Sequence, residues 1–355
     1  MTCRKTINFE ASYHVHIKIL DFLTCPKCSS ESSFDISNHD NKKVEEVLFG
    51  ALICRTCTAE FKIQNGIPRF VTLEEDYCQN FGLQWKKWRK IQIDRLSGHT
   101  ISSDRFFRDS TWQPDSLKGK LILDAGCGAG RFADIVATHG ATVVAVDLSD
   151  AVEACQKTTS IHEGRVHCLQ ASLTNLPIRF EIFDAIYCMG VIQHTPEPEV
   201  VIRTLPRHLK PGGKLAYNYY EESIWRRLQI IKYLLRLVTP YLSVQITMRV
   251  SKALVRYLFP VTRFLSRLPK FRILNHFIPI AAVHDRQLSE ADQRLAISLA
   301  KMGEVKKRID DLEIERNHKL RYDLIERELN RFRAISAASN LKVLLSEKTS
   351  KERTQ

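Results

Sequence analysis

The stretch Leu121-Ile122-Leu123-Asp124-Ala125-Gly126-Cys127-Gly128-Ala129-Gly130-Arg131-Phe132 restricts the fold of this chain more than any other. An apolar strand that runs into a glycine-rich turn and then a helix is the cradle by which α/β proteins hold nucleotides. The glycine spacing narrows the choice of ligand. A dinucleotide fingerprint, G-x-G-x-x-G, needs Gly at position 131, where Arg131 stands. The pattern present is D-x-G-x-G-x-G, with Asp124 two residues ahead of the first glycine. That carboxylate would repel a pyrophosphate and attract a ligand bearing a sulfonium and an ammonium group.

The following residues continue the alternation of strand and helix expected of a parallel α/β sheet. Thr142-Val143-Val144-Ala145-Val146 reads as a second strand and ends in Asp147, seventeen residues after Gly130. A carboxylate at a strand end can accept hydrogen bonds from both hydroxyls of a ribose. Taken alone, each aspartate could equally be a turn former or a helix N-cap. A later strand, Asp184 to Met189-Gly190, delivers Val191-Ile192-Gln193-His194 to its carboxyl end. His194 is the candidate general base, because imidazole titrates near neutral pH. The plainer role for His194 is to order a loop at a helix start. Asp184 sits at the far end of its strand and reads as structural.

These residues resemble the class I S-adenosylmethionine-dependent methyltransferases. The resemblance spans residues 118–220 and continues through Leu176-Pro177, Phe183-Asp184-Ala185-Ile186 and Leu209-Lys210-Pro211-Gly212-Gly213-Lys214-Leu215. It implies an α/β, Rossmann-like, doubly wound and mostly parallel sheet over residues 118–221. It also implies that S-adenosylmethionine is held by Asp124, Gly126, Cys127, Gly128, Gly130, Asp147, Leu148, Ser172, Met189 and Gly190. One departure lies after the third strand, where the family carries an acid for the adenine amino group and this chain reads Gln170-Ala171-Ser172. Ser172 can still accept one hydrogen bond. Another lies at the end of the sheet, which in the family closes with an antiparallel hairpin. Beyond His284 only Leu341-Lys342-Val343-Leu344-Leu345 could form a strand.

Four of the ten cysteines form two Cys-x-x-Cys pairs, Cys25 with Cys28 and Cys54 with Cys57, separated by 25 residues. Paired knuckles of this kind place four thiolates tetrahedrally around one zinc and leave no open position, so the expected metal is structural. Chance spacing of free thiols is the alternative. The other six cysteines are scattered, several in apolar runs, a usage that suits a reducing cytosol. The knuckle region resembles the small zinc-ribbon activators of tRNA and protein methyltransferases, through Leu23-Thr24-Cys25-Pro26-Lys27-Cys28, Leu52-Ile53-Cys54-Arg55-Thr56-Cys57 and the exit Gly66-Ile67-Pro68. It departs at Thr58, where such ribbons carry Gly. The resemblance implies a role beside a methyltransferase.

The expected organisation is a zinc ribbon at 1–71, a helical linker or cap at 72–117 with Trp85, Trp88 and Trp112, the α/β core at 118–221, a basic apolar helical insertion at 222–284 and a charged helical segment at 285–355. Between Glu222 and His284 eleven Lys or Arg stand against one acid, which supplies +10 of the net charge of +13. Pro240, Pro260, Pro269 and Pro279 are expected to cut this insertion into short helices. Trp225, Leu234, Phe259 and Phe264 give it apolar anchors. Three readings stay open for it: a cap on the sheet with a basic outer face, a surface for anionic membranes, or a face for nucleic acid.

No run of about 18 uncharged apolar residues occurs, which excludes a simple membrane-spanning helix. The first twenty residues mix Glu and His where a secretion signal needs an apolar core. The expected location is cytoplasmic or peripheral at the inner membrane surface. The expected function is in-line methyl transfer from S-adenosylmethionine to a small or lipid-linked molecule. RNA methylation is the alternative among enzymes, and a non-catalytic scaffold the alternative of another class.

Overall fold

A computed structural model of the chain describes residues 17–31, 34–38, 47–71, 89, 92–162, 164–218, 241–242, 244–268, 274, 278 and 342–345. Trp85, Trp88, Trp225 and Leu234 lie outside them, as do most of 222–284 and 285–355.

The ribbon is a four-stranded sheet of β1 (Phe34–Asn38), β2 (Gly50–Cys54), β3 (Glu60–Gln64) and β4 (Ile67–Pro68), antiparallel throughout. Residues Ser29 and Thr58, each directly after the second cysteine of its knuckle, both take left-handed backbone with φ of 56°. Their amides donate to the carbonyls of Cys25 (2.8 Å) and Cys54 (2.9 Å), which closes each knuckle. The backbone at Thr58 is therefore the kind that favours glycine. A β-branched residue there costs roughly 1–2 kcal/mol, partly offset by the ~0.5–1 kcal/mol of extra unfolded-state freedom that Gly brings. Thr58→Gly is accordingly expected to stabilise the protein by about 0.5–1 kcal/mol, seen as a higher urea midpoint. A lower midpoint would mean that the Thr58 hydroxyl, which donates to the Cys57 carbonyl at 2.7 Å, outweighs the strain.

Two helices follow, α1 (Asp94–Ser97) and α2 (Ile101–Ser110), before the main sheet begins. Its strands are β5 (Leu121–Ala125), β6 (Thr142–Asp147), β7 (Val166–Gln170), β8 (Phe183–Met189), β9 (Leu209–Asn218) and β10 (Lys342–Leu345), joined through α3 (Arg131–Thr138), α4 (Ala151–Thr159) and α5 (Pro198–Thr204). The spatial order is β10-β9-β8-β5-β6-β7, and every pairing is parallel. This confirms the doubly wound α/β architecture. Strands covered on both faces read as unbroken apolar runs, and Val143-Val144-Ala145-Val146 are all fully buried. On one face Phe106, Trp112, Phe132, Val136 and Val152 pack over Ile122, Val143, Ala145 and Tyr187.

The other face shows why so small a ribbon is stable. Leu123, Val144, Leu169 and Ile186 of the sheet share one buried cluster with Ile202 and Leu205, and with Leu23, Phe34, Leu52 and Phe61 of the ribbon. Among the described residues the ribbon's buried apolar side chains belong to the sheet's own cluster, so the ribbon forms part of the cover of the sheet. It also protects β7, the edge strand, from pairing with another chain.

The segment Lys342–Leu345 is a strand, as its residues suggest, but it lies parallel to β9, with Lys342 opposite Lys214 and Leu345 opposite Tyr217. The expectation of short helices is corrected in one place: α6 (Val244–Ser266) runs through Pro260 without a break. Pro260 is exposed, so water can serve the carbonyl that its missing N–H leaves without a donor. No helix among the described residues is long and apolar enough to cross a membrane.

Candidate functional site

Because the sheet is parallel, the carboxyl ends of β5, β6, β7, β8 and β9 lie along one edge. The chain leaves β5 towards β6 on one side and β8 lies on the other, which makes the β5/β8 boundary the switch point where such sheets open a crevice. The candidate residues Asp124, Gly126, Cys127, Gly128, Gly130, Asp147, Leu148, Ser172, Met189, Gly190 and His194 all belong to these strand ends or to the turns directly after them.

The glycine-rich turn folds back over β6, and the amides of Gly126 and Cys127 both donate to the Val146 carbonyl at 2.8 and 2.9 Å. Two glycines are required by geometry. A Cβ on Gly126 (φ +89°) would lie 2.3 Å from a Val191 methyl, and one on Gly130 (φ +80°) would lie 3.0 Å from Cys155 Cα. Asp147 then locks the turn. Its Oδ2 accepts the Gly128 amide at 2.8 Å, and its Oδ1 accepts the Ser149 amide at 2.9 Å and hydroxyl at 2.7 Å. A ribose hydroxyl would thus meet an acceptor already fixed in position.

Asp124 is the unusual group. It is buried, its Oδ2 has no hydrogen-bond partner among the described residues, and it pairs in register with Tyr187 of β8. Burial pushes its carboxyl up to about 8; the Tyr187 hydroxyl opposes the rise and the negative Asp147 adds to it. Trp112 Nε1 is likewise buried without a partner among the described residues, and its ring lies 6.3 Å from that of Tyr187, whose hydroxyl faces the Asp124 carboxyl. Buried polar groups are rarely left unmatched. A cationic ligand reaching this carboxyl would supply what the protein lacks there.

Other expected residues have local duties. The Ser172 hydroxyl lies 2.7 Å from that of Thr174 and accepts the Thr174 amide at 3.3 Å, so it shapes the turn after β7. His194 is half-buried in the short turn Ile192–His194, and its amide donates to the Val191 carbonyl at 2.8 Å. Asp184 is structural, as its place in the strand suggests. Burial alone would raise its carboxyl, yet the Leu121 amide at 2.8 Å and Lys210 at 3.2 Å hold it below its ordinary value.

Gln193 is a site residue that nothing in its spacing singles out. It is buried, and neither atom of its amide has a partner among the described residues. An amide left so is costly, on the order of 1–3 kcal/mol. Gln193→Leu is therefore expected to stabilise the ligand-free protein by about 1 kcal/mol while weakening binding of cofactor or acceptor. Thermal melts with and without ligand check both signs.

The four knuckle sulfurs lie within 4.8 Å of one another. Cys25 and Cys57 Sγ are 3.6 Å apart, and Cys28 and Cys54 Sγ 3.7 Å. A tetrahedron with Zn–S arms of about 2.3 Å has edges of about 3.8 Å, so the donor set fits zinc. The Cys57 amide, helped by that of Thr56, draws the Cys54 thiol down to about 6, whereas burial pushes the Cys25 thiol up to about 12, so a bound metal would have to hold the set as thiolates.

Residues 123–217 match the family model described as methyltransferase domain. The α/β unit is therefore similar to a methyltransferase domain. Among its relatives are ubiquinone biosynthesis O-methyltransferases from Pseudomonas putida strain W619, 35% identical over 108 residues, and Coxiella burnetii strain Dugway 5J108-111, 33% identical over 107 residues. These matches take in 29% and 30% of this chain and 45% and 46% of the relatives, so the chain spans less than half the length of the curated relatives it matches. Solved structures similar to it include a methyltransferase from Aquifex aeolicus (21% identity, TM-score 0.27, 33% of this chain and 71% of the other) and one from Mesorhizobium loti (24%, 0.27, 31% and 49%).

Proposed function

We propose that the chain transfers a methyl group from S-adenosylmethionine to an oxygen of a small or lipid-linked acceptor. The observation that carries this reading is Asp124, the buried carboxyl at the head of the D-x-G-x-G-x-G turn, whose Oδ2 is unmatched among the described residues. When bound, the cofactor supplies an electrophilic methyl on a sulfonium. The protein's part is positioning and electrostatics. Asp147 receives the ribose, Asp124 attracts the cationic end, and the turns after β7 and β8 enclose the adenine and the reacting centre. His194, just past β8, accepts the proton that an acceptor hydroxyl must lose. The oxygen acceptor follows the relatives named ubiquinone biosynthesis O-methyltransferase. Cys25, Cys28, Cys54 and Cys57 hold one structural zinc.

Incubation of cell extract with purified protein and isotopically labelled S-adenosylmethionine tests the reading. Label in a small or lipid-soluble product is expected. Label in RNA would move the assignment to nucleic acid, and label nowhere would make the chain a scaffold.

A specific observation favours a lipid-linked acceptor. In α6, Thr247, Ser251, Val255, Phe259 and Thr262 face inward and are buried. A second stripe, Ile246, Val250, Tyr257, Val261 and Phe264, is exposed, with Phe264 at 62% and Tyr257 at 73%. Arg249, Lys252, Arg256 and Arg263 are exposed beside it, and the helix holds no acid. Apolar side chains edged only by cations suit an anionic bilayer, where each cation contributes about 1 kcal/mol. Flotation with phosphatidylglycerol vesicles but not with neutral ones is expected, and it should weaken with salt. Equal behaviour with both vesicles would contradict it.

A further inference from the structure

We infer that Arg69, at the exit of the ribbon, is a positioning residue for the adenosyl half of the cofactor pocket, which rests on the cofactor reading above. Directly after β4, Arg69 and Gln170 form a parallel bridge, and the Phe70 amide donates to the Gln170 carbonyl at 2.8 Å. The ribbon exit therefore runs along β7.

The Arg69 side chain is 11% exposed, and both of its Nη atoms reach the α/β domain, while its Nε is buried without a partner among the described residues. Its Nη1 donates to Gln170 Oε1 and to Asp150 Oδ1 at 3.1 Å, and its Nη2 donates to Glu153 Oε1 at 2.7 Å. Gln170 carries the contact inward, since its Nε2 donates to the Leu148 carbonyl at 2.9 Å. Leu148 follows Asp147, whose own carbonyl accepts the Ala171 amide at 3.0 Å.

The result is a relay from a ribbon guanidinium through one amide to the backbone that presents Asp147. It fixes the turns after β6 and β7 against each other, and these turns flank the adenosyl side of the crevice. The relay depends on direction. A cation on Oε1 forces the amide to turn its NH₂ towards Leu148; without Arg69 the amide can flip and leave that carbonyl without a donor. Arginine's planar fork suits three acceptors at once, which a lysine cannot match.

A clasp that merely keeps the ribbon attached would have the same contacts, so the test must separate clasp from relay. Arg179 supplies the control. It ties the other end of the ribbon, its amide to the Phe22 carbonyl at 2.8 Å and its Nη2 to the Glu31 carbonyl at 3.2 Å.

Calorimetric titration of the full chain with S-adenosylhomocysteine reads the difference, with zinc content measured on each sample. Arg69→Ala is expected to weaken binding about tenfold, a usual size for coupling between sites, with zinc unchanged. Arg179→Ala is expected to bind as the wild type does. Gln170→Glu, which keeps a partner for Arg69 but loses the donor to Leu148, should match Arg69→Ala, and the double variant should be no weaker than either single one. Arg69→Ala binding within twofold of wild type, Arg179→Ala weakening binding equally, or losses that multiply in the double variant would each overturn the relay. A wild-type protein that binds no adenosyl ligand would overturn the cofactor reading together with the relay. Normal wild-type binding beside an unaffected Arg69→Ala would overturn the relay alone.

Discussion

Cys54→Ser is expected to unfold more than the ribbon. Structural zinc sites tie metal affinity to folding, with apparent binding free energies on the order of 10–16 kcal/mol at neutral pH in isolated zinc-finger peptides. Here the ribbon residues Leu23, Phe34, Leu52 and Phe61 share a buried cluster with Leu123, Val144 and Leu169 of the main sheet. Losing the metal would expose that face and free the β7 edge. The expected result is a zinc content falling well below one per chain, together with loss of the cooperative thermal transition of the whole protein or its displacement by ten degrees or more, since about 1 kcal/mol moves a domain by only a few degrees. A strong chelator should act in the same way. An unchanged melt in metal-free Cys54→Ser would show that the shared apolar cluster holds the ribbon without metal.

The second large effect centres on Asp124. Its carboxyl is pushed up to about 8 by burial, so near neutral pH it is mostly protonated in the ligand-free protein. A cationic ligand favours the ionised form. Affinity for S-adenosylmethionine should therefore rise with pH up to about 8 and level off above, and binding at pH 7 should release close to one proton. For folding the sign is opposite. A carboxyl whose folded pKa lies above its unfolded value gives stability that is fully present below about pH 4 and lost as pH rises through about 8. Asp124→Asn should abolish both dependences. It should also weaken binding on the order of 100-fold, the scale expected when one member of a buried charge pair is removed. Calorimetry in two buffers of different ionisation enthalpy counts the proton directly. Equal heats in both buffers at pH 7 would show that Asp124 is already ionised.

Features carried by neighbouring residues were legible in the sequence. The D-x-G-x-G-x-G turn, Asp147 at a strand end, the paired knuckles and the strand at Lys342–Leu345 each depend on local spacing. Even the departure at Thr58 had meaning, because the backbone there takes the left-handed form that glycine favours. What was not legible depends on distant partners. Arg69 and Gln170 are separated by 101 positions, and no periodicity links them. That Asp124 Oδ2 and the Gln193 amide are buried without partners among the described residues is a property of their surroundings, not of their residue type. The ribbon reads as a separate module because its knuckles are self-contained, while its apolar residues pack on the sheet. Pro260 reads as a break, and its position on the exposed side of α6 is what lets the helix continue.

Calorimetric titration of the wild-type chain with S-adenosylmethionine at pH 7 tests the central claim most directly. One site per chain is predicted, with micromolar affinity, about −8 kcal/mol, and no heat on titration with NADH. Binding of NADH without binding of S-adenosylmethionine would contradict the reading of Asp124 and of the glycine spacing, and with it the assignment of the crevice.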